Sequence, residues 1–218
     1  DLASAGSQEA ADQAARHILL ALNDEALGER GHGYVMPMPA APESVTRALA
    51  LGQALAEALE ARHPKWRHRA AQQKNLILAL NREYLYPVDP DVLEIAVYWH
   101  DVALLALPDS VLENPPGEKS AQWPAYANHP QLAADWLQKV APDCQESMQI
   151  ICQHHLWFNG AGIQALPYPL PPHPGALMLA CADIFADRVA GLAGEDYRRA
   201  ILRTVLDVSA GFETRFDS

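Results

Sequence analysis

The feature that most constrains the fold of this chain is a histidine followed directly by an aspartate, His100-Asp101, near the end of an apolar segment. The apolar residues predict a buried helix, and burying an imidazole beside a carboxylate is costly unless other groups compensate for the lost hydration. A hydrogen bond between the two side chains would compensate, and so would a bound metal ion. The dipeptide alone favours the hydrogen bond, so a metal site needs support from further candidate ligands.

Apolar residues at helical spacing run through most of the chain, and no segment shows the alternation typical of a β-strand. Asp89-Pro90 predicts a helix start, because aspartate caps a first turn and proline is tolerated within it. The helix that follows is predicted to end at Pro108 and to place His100 on its inward face. Other helices are predicted over residues 7–27, 43–62, 67–86 and 130–140, from 144 (with a capping box of Asp143 and Glu146), from 175, and over 195–208. The sequence therefore predicts an all-α fold.

A segment rich in glycine and proline, near residues 28–42, is the best candidate for a linker. It predicts two parts: an N-terminal helical extension over residues 1–62 and a domain over residues 63–218. The extension is too short to bury a core alone, so we expect it to pack on the domain.

The composition disfavours several classes of function. Lys and Arg number 16 against 27 Asp and Glu, and the net charge of −11 argues against general nucleic-acid binding. No apolar run is long enough to span a bilayer and no signal pattern opens the chain, so we expect no membrane association. The three cysteines lack a CxxC spacing and lie in apolar, helical stretches, which predicts buried free thiols in a reducing cytoplasm.

Histidines and aspartates stand at or near the ends of five predicted helices. Side chains so placed can converge on one centre in a helical bundle. Mixed histidine and aspartate ligation suits a first-row transition metal better than calcium. Asp101 is suited to bridge two ions because its carboxylate has two oxygens. The seven candidate metal ligands are His68, His100, Asp101, His129, His154, His155 and Asp183.

Each candidate also has an ordinary structural interpretation. An isolated histidine in a helical protein is more often structural than a ligand, and the doublet His154-His155 is a weak signal by itself. Asp183 could instead be paired with a buried arginine such as Arg188. The order and spacing of the seven residues favour the metal site.

That order, His … His-Asp … His-Pro … His-His … Ala-Asp, resembles the HD-domain metal-dependent phosphohydrolase superfamily. In detail it resembles the HD-GYP branch of bacterial cyclic di-GMP phosphodiesterases, over roughly residues 67–217. The resemblance implies an HD-domain helical bundle, here with the extra N-terminal helical segment. The similar motifs are His100-Asp101 with residues 107–112, Asn128-His129-Pro130, His154-His155 with Gly160-Ala161-Gly162, residues 180–184, and Gly211 with Phe216-Asp217.

The sequence departs from this branch where the substrate is bound. The lysine that follows His-Asp in the family, and helps to hold the phosphate, is replaced by Leu104. The Gly-Tyr-Pro motif is degenerate and reads Gly162-Ile163-Gln164. Loss of one charge-assisted contact weakens phosphate binding by about 1.5–3 kcal/mol, or roughly ten- to a hundredfold.

The resemblance implies two divalent transition-metal ions, with iron or manganese expected before zinc or nickel. Asp101 is expected to be the bridging, catalytic ligand. The ligand sets that the resemblance implies are His68, His100 and Asp183 for one ion and His129, His154 and His155 for the other. Candidate substrate contacts are Gly160, Gly162 and Arg188.

Three functions stay open at this point. The first is metal-dependent hydrolysis of a small nucleotide-type phosphoester, with cyclic di-GMP as one candidate, by attack of a metal-activated hydroxide. The second is a regulatory or protein-binding module with little or no catalysis, whose partners are signalling proteins. The third is a structural helical bundle without metal.

Overall fold

The structure, a computed structural model, describes residues 41–63, 66–156, 162–163 and 172–190, together with residues 199 and 203. In this part of the chain it has eight α-helices, one 3-10 helix and no β-strand, which confirms the predicted all-α fold. The helix predicted over residues 7–27, and most of that over 195–208, lie outside the described residues. The helices are α1 (Glu43–Arg62), α2 (Arg69–Glu83), α3 (Pro90–Trp99), the 3-10 helix (Val102–Ala106), α4 (Asp109–Glu113), α5 (Trp123–Ala127), α6 (His129–Val140), α7 (Gln145–Gln153) and α8 (Pro174–Val189).

Helix α3 is the centre of the bundle. It begins as predicted: Pro90 stands in the first turn, and the Asp89 carboxylate accepts a hydrogen bond of 2.9 Å from the Asp91 backbone N–H. It packs against α1, α2 and α7, and six of its ten residues are buried. The apolar residues that cover most of its surface need neighbours to bury them, and these helices do so.

The prediction that this helix continues to Pro108 is wrong. Helix α3 ends at Trp99, and the chain tightens into the 3-10 helix, whose first turn is closed by a 2.9 Å bond from the Leu104 N–H to the Asp101 carbonyl. Successive side chains of a straight α-helix point about 100° apart. The break after α3 is what allows His100 and Asp101, although adjacent, to face the same centre.

Helix α1 belongs to the same core. It lies so close to α3 that a Cβ added at Gly52 would be 2.4 Å from Nε1 of Trp99. The same indole N–H donates a 2.8 Å hydrogen bond to the Ala48 carbonyl. The expected packing of the segment before residue 63 on the domain is therefore observed for α1, while the division of the chain at residue 62 stays a prediction.

The end of α1 also holds the segment that follows Asp101. The Arg62 guanidinium donates hydrogen bonds to three backbone carbonyls there and to the Asp109 carboxylate. The carbonyls belong to Leu104, Leu105 and Leu107. Carbonyls at the end of a short 3-10 helix have few helical donors, and Arg62 supplies donors here. The Leu104 carbonyl also accepts a 3.0 Å hydrogen bond from the Leu107 N–H.

The remaining helices complete the bundle, with α6 against α7 and α8 against α2 and α7. Helix α7 begins at Gln145 with Cys144 as its N-cap and no side-chain cap hydrogen bond, so the capping box predicted for Asp143 and Glu146 is not formed. Instead, Glu146 Oε1 lies 3.3 Å from His173 Nε2, which joins the starts of α7 and α8.

The described residues bear on two further predictions, that the cysteines are buried free thiols and that no segment spans a membrane. All three cysteines are free thiols; Cys144 and Cys152 are buried and Cys181 is half-buried. Among the helices described, none combines the length and the apolar character needed to cross a membrane.

Candidate metal centre

Four segments of the bundle converge on one centre. The junction after α3 supplies His100 and Asp101, the start of α6 supplies His129, the end of α7 supplies His154 and His155, and α8 supplies Asp183. In the described part of the chain these side chains form two groups, and within each group the ligand atoms lie within 4.8 Å of one another. We refer to them as the three-histidine group (His129, His154 and His155) and the carboxylate group (His100, Asp101 and Asp183).

The backbone orients three of the four imidazoles in the same way. Nδ1 of each ring lies against the carbonyl oxygen three residues earlier, which leaves Nε2 directed to the centre. The distances are 2.8 Å from His100 to Val97, 2.6 Å from His129 to Tyr126, and 2.7 Å from His154 to Ile151. A carbonyl oxygen only accepts, so it assigns the hydrogen to Nδ1. This is the arrangement that commonly holds a metal-ligating histidine.

The three-histidine group presents buried nitrogen atoms without hydrogen bonds. Nε2 of His129 and Nε2 of His154 are buried, and neither has a hydrogen-bond partner among the described residues. Leaving such a buried atom unsatisfied costs about 1–3 kcal/mol, so each calls for a ligand. Imidazole nitrogens suit zinc, iron, nickel and copper.

Electrostatics keep two of these imidazoles neutral. Burial, together with the neighbouring His155, lowers the pKa of His154 well below its ordinary value. Burial and the nearby His129 lower the pKa of His155 to about 4. Both rings therefore carry a free lone pair at neutral pH, which a metal ion requires. The residues of the three-histidine group fit a divalent transition-metal ion.

The carboxylate group differs, because its oxygens already have cationic partners. Nε2 of His100 lies 3.1 Å from Oδ2 of Asp101 and 3.6 Å from Oδ1 of Asp183. The Arg69 guanidinium donates a hydrogen bond to Oδ1 of Asp183, and Gln73 Nε2 donates to the same oxygen at 2.9 Å. Both the hydrogen-bond and the metal interpretations of His100-Asp101 thus find support in the same centre.

The pKa values of the carboxylate group follow from this pairing. Burial disfavours the charged imidazole, but Asp101 and Asp183 outweigh it and raise the pKa of His100 to about 10. Burial likewise opposes ionisation of the two carboxyls, yet the neighbouring cations hold both of their pKa values well below the ordinary range; Arg69 is the main cause for Asp183 and His100 for Asp101. In the structure the group is therefore a network of charged hydrogen-bonding partners.

His68, predicted as a ligand, is not brought to the centre. It is exposed, and as the N-cap of α2 it has a left-handed backbone with φ of 62°. Its backbone N–H donates a 2.8 Å hydrogen bond to Glu60, and its side chain is in neither group. The following residue, Arg69, enters the site instead. His68 precedes the helix and is exposed, whereas Arg69, the first residue of α2, is buried.

The candidate substrate residues are only partly described. Gly160 lies outside the described residues. Gly162 has φ of 101°, where glycine is favoured, and pairs with Leu156 in an isolated bridge. Arg188 is exposed, and the arginine that pairs with Asp183 is Arg69.

Arg69 and Gln73 are the site residues that the sequence reasoning missed. They are four residues apart in a predicted helix and therefore share one of its faces. A buried arginine is uncommon without paired carboxylates, but the sequence pattern does not show which face of α2 is buried.

An all-α bundle with buried histidines and aspartates gathered from four segments defines a class of metal-binding helical proteins. The comparisons narrow this class: the HD-domain family model matches residues 45–187, well over half of the chain. The chain therefore belongs to the HD-domain family, a superfamily of metal-dependent phosphohydrolases. The matched region begins inside α1 and contains both ligand groups. A search of curated proteins found no match.

Proposed function

We propose that the protein is a metal-dependent hydrolase of a nucleotide-type phosphoester and that the three-histidine group holds its metal ion. The observation that carries the proposal is the buried Nε2 of His154, which has no hydrogen-bond partner among the described residues. Nε2 of His129 is also without a hydrogen bond there, and lies 3.3 Å from Oδ1 of Asp101. Family membership supports the reaction class, since HD-domain proteins are metal-dependent phosphohydrolases.

A divalent transition-metal ion at this group supplies Lewis acidity and lowers the pKa of water to about 7. Asp101, ionised in its buried position, places Oδ1 3.3 Å from Nε2 of His129, where it could join the three imidazoles as a ligand. His100 holds a proton on Nε2 between Asp101 and Asp183 and keeps the Asp101 carboxylate oriented. The oxygen of water bonds to phosphorus as the ester P–O bond breaks, and the proton that water loses ends on the leaving alcohol.

The residue at the phosphate-binding position of the family bears on the identity of the substrate. Leu104, at the position of the family's phosphate-binding lysine, is 3% exposed and packs in a cluster with Leu59, Trp66 and Leu112. Its side chain is part of the core, so the phosphate must be neutralised elsewhere. Membership of the HD-GYP branch and activity on cyclic di-GMP therefore stay proposals, with cyclic di-GMP as one of the substrates to test.

The buried side chain of Leu104 also favours a second candidate function. A domain that keeps the ligand groups but has an apolar side chain in place of the substrate lysine could act by binding, as a regulatory module for signalling proteins. A cytoplasmic location is a further prediction, based on the free thiols.

The test is to purify the protein, remove bound metal with a chelator, reload it with Mn²⁺, Fe²⁺ or Zn²⁺, and measure hydrolysis of bis(p-nitrophenyl) phosphate and of cyclic di-GMP. We expect metal-dependent turnover that His154→Ala abolishes and that the exposed control His68→Ala leaves unchanged. Bound metal without turnover of any phosphoester would favour the binding module. A protein that takes up no metal would contradict both the hydrolase and the metal-containing binding module.

A further inference from the structure

The guanidinium of Arg69 lies against the carboxylate group. Its side chain is only 9% exposed. It donates a hydrogen bond to Asp183 and another, of 2.6 Å, to Asp187, and its Nε lies 4.0 Å from Oδ2 of Asp101. Three carboxylates from two elements thus surround a single guanidinium.

We propose that this guanidinium replaces one of the two metal ions that the HD-type ligand pattern implies, so that the protein holds a single ion, at the three-histidine group. The inference rests on the proposed function only in taking the three-histidine group as the site of the metal. It differs from the ligand sets implied by the sequence, in which each group holds an ion.

The two groups differ in the unsatisfied atoms that could bind a metal. Nε of Arg69 is also without a hydrogen bond among the described residues, but it is an N–H donor and cannot be a ligand. Nε2 of His129 and Nε2 of His154 have no hydrogen-bond partner in the described part of the chain. In the carboxylate group, by contrast, Oδ1 of Asp183 accepts hydrogen bonds from both Arg69 and Gln73. An ion could reach that oxygen only by displacing two donors.

The charge of the guanidinium also opposes a second ion. The guanidinium is permanently charged, so it neutralises carboxylates as a metal ion does. A divalent cation within the carboxylate group would meet this fixed positive charge at close range in a buried site, where like charges repel more strongly than in water. The contacts of Arg69 described above are to carboxylates and not to the three-histidine group.

The two groups also differ in the number of ligands that they offer to an ion. The side chain of His68, the fourth member that the resemblance implies for the carboxylate group, is exposed and outside it. The three-histidine group, however, gains a fourth donor, because Oδ1 of Asp101 lies 3.3 Å from Nε2 of His129. Three imidazoles and one carboxylate make up the four ligands that zinc and related ions commonly take.

The experiment measures how many ions bind. The metal-free protein is reloaded with Co²⁺ or Mn²⁺, and the metal-to-chain ratio is determined by elemental analysis after removal of excess metal. We expect one ion per chain, and with Mn²⁺ an electron paramagnetic resonance spectrum of isolated ions without the signature of a spin-coupled pair. A ratio of two with a coupled spectrum would overturn the inference and leave the proposed function standing.

Single-residue variants distinguish an ion bound at the three-histidine group from one bound at the carboxylate group. His154→Ala should lose the ion, His68→Ala should keep it, and Arg69→Ala should take up a second ion. Arg69→Lys, which keeps the positive charge, should stay at one. If Arg69→Ala is poorly folded, His68→Ala still decides, because loss of an ion in that variant would contradict the inference. One bound ion without turnover would contradict the proposed function alone, and no bound ion would contradict both.

Discussion

Nε2 of His129 lies 3.3 Å from Oδ1 of Asp101, while the other oxygen of the same carboxylate lies 3.1 Å from Nε2 of His100. Asp101 is therefore shared by the two ligand groups. One of its oxygens faces the three-histidine group and the other faces His100 of the carboxylate group. Because Asp101 contacts both groups, a change of charge in one group affects the other group through this residue.

Replacing Asp101 with asparagine should weaken metal binding. Asparagine keeps the shape of the side chain but removes the charge, so we expect ion affinity to fall by at least about tenfold. Competition with a chromophoric chelator measures the change. The control is Asp91→Asn, an exposed aspartate in the first turn of α3. Unchanged affinity in Asp101→Asn would show that this carboxylate does not contact the ion.

Replacing Arg69 with leucine should destabilise the metal-free protein by about 3–5 kcal/mol, because it leaves buried carboxylate charge without its partner. Urea unfolding in the presence of a chelator measures this loss. The adjacent variant His68→Ala, at an exposed position, should change the free energy of unfolding by no more than about 0.5 kcal/mol. Adding Mn²⁺ should restore part of the lost stability in Arg69→Leu, since an ion can then bind the carboxylates. Equal stabilities of the two variants would contradict the buried role of Arg69.

The metal-free protein should be most stable near pH 6.5, the ordinary pKa of histidine. As the pH falls from there toward about 4, the unfolded chain binds protons at His154 and His155 that the folded protein does not, so stability falls. As the pH rises toward about 10, the folded protein retains on His100 a proton that the unfolded chain has lost, so stability falls again. Urea midpoints measured with chelator at about pH 5, 6.5 and 9 test this. A midpoint that rises steadily from pH 6.5 to 9 would contradict the charged state of His100.

Replacing Gly52 with alanine should destabilise the protein by about 1–3 kcal/mol through overpacking. The added Cβ would lie 2.4 Å from Nε1 of Trp99, so α1 and α3 must move apart. Gly117→Ala is the matched control, because nothing lies within 4 Å of the Cβ that it adds. Thermal unfolding of both variants gives the comparison. If Gly52→Ala is as stable as the control, α1 is not packed on α3 as described.

The helices and the gathering of ligands were predictable because both depend on local patterns. Helix α3 begins at the predicted Asp89-Pro90 because the cap and the first turn involve only neighbouring residues. Its end was placed too late, at Pro108, since proline is the only local stop signal in that segment. The chain leaves the α-helix at His100 because two adjacent side chains must face one centre, and that requirement comes from other helices.

His68 and Arg69 show most clearly where sequence reasoning ends. Both are basic or metal-capable, they are adjacent, and the spacing from His68 to His100 favoured the histidine. Which of the two faces inward depends on the rotation of α2 against α8, and hence on the pairing of Arg69 with Asp183 and Asp187. Contacts between residues more than 100 positions apart leave no local periodicity by which to detect them.

By itself, the sequence determined that the chain is helical, that His100-Asp101 is buried, and that histidines and aspartates from separate helices could meet at a metal site. Only the tertiary structure decided how that site is divided. It brought a guanidinium to one side of Asp101 and left unpartnered imidazole nitrogens on the other. The physical reason is that burial makes every charge depend on its nearest partners, and those partners come from distant parts of the chain.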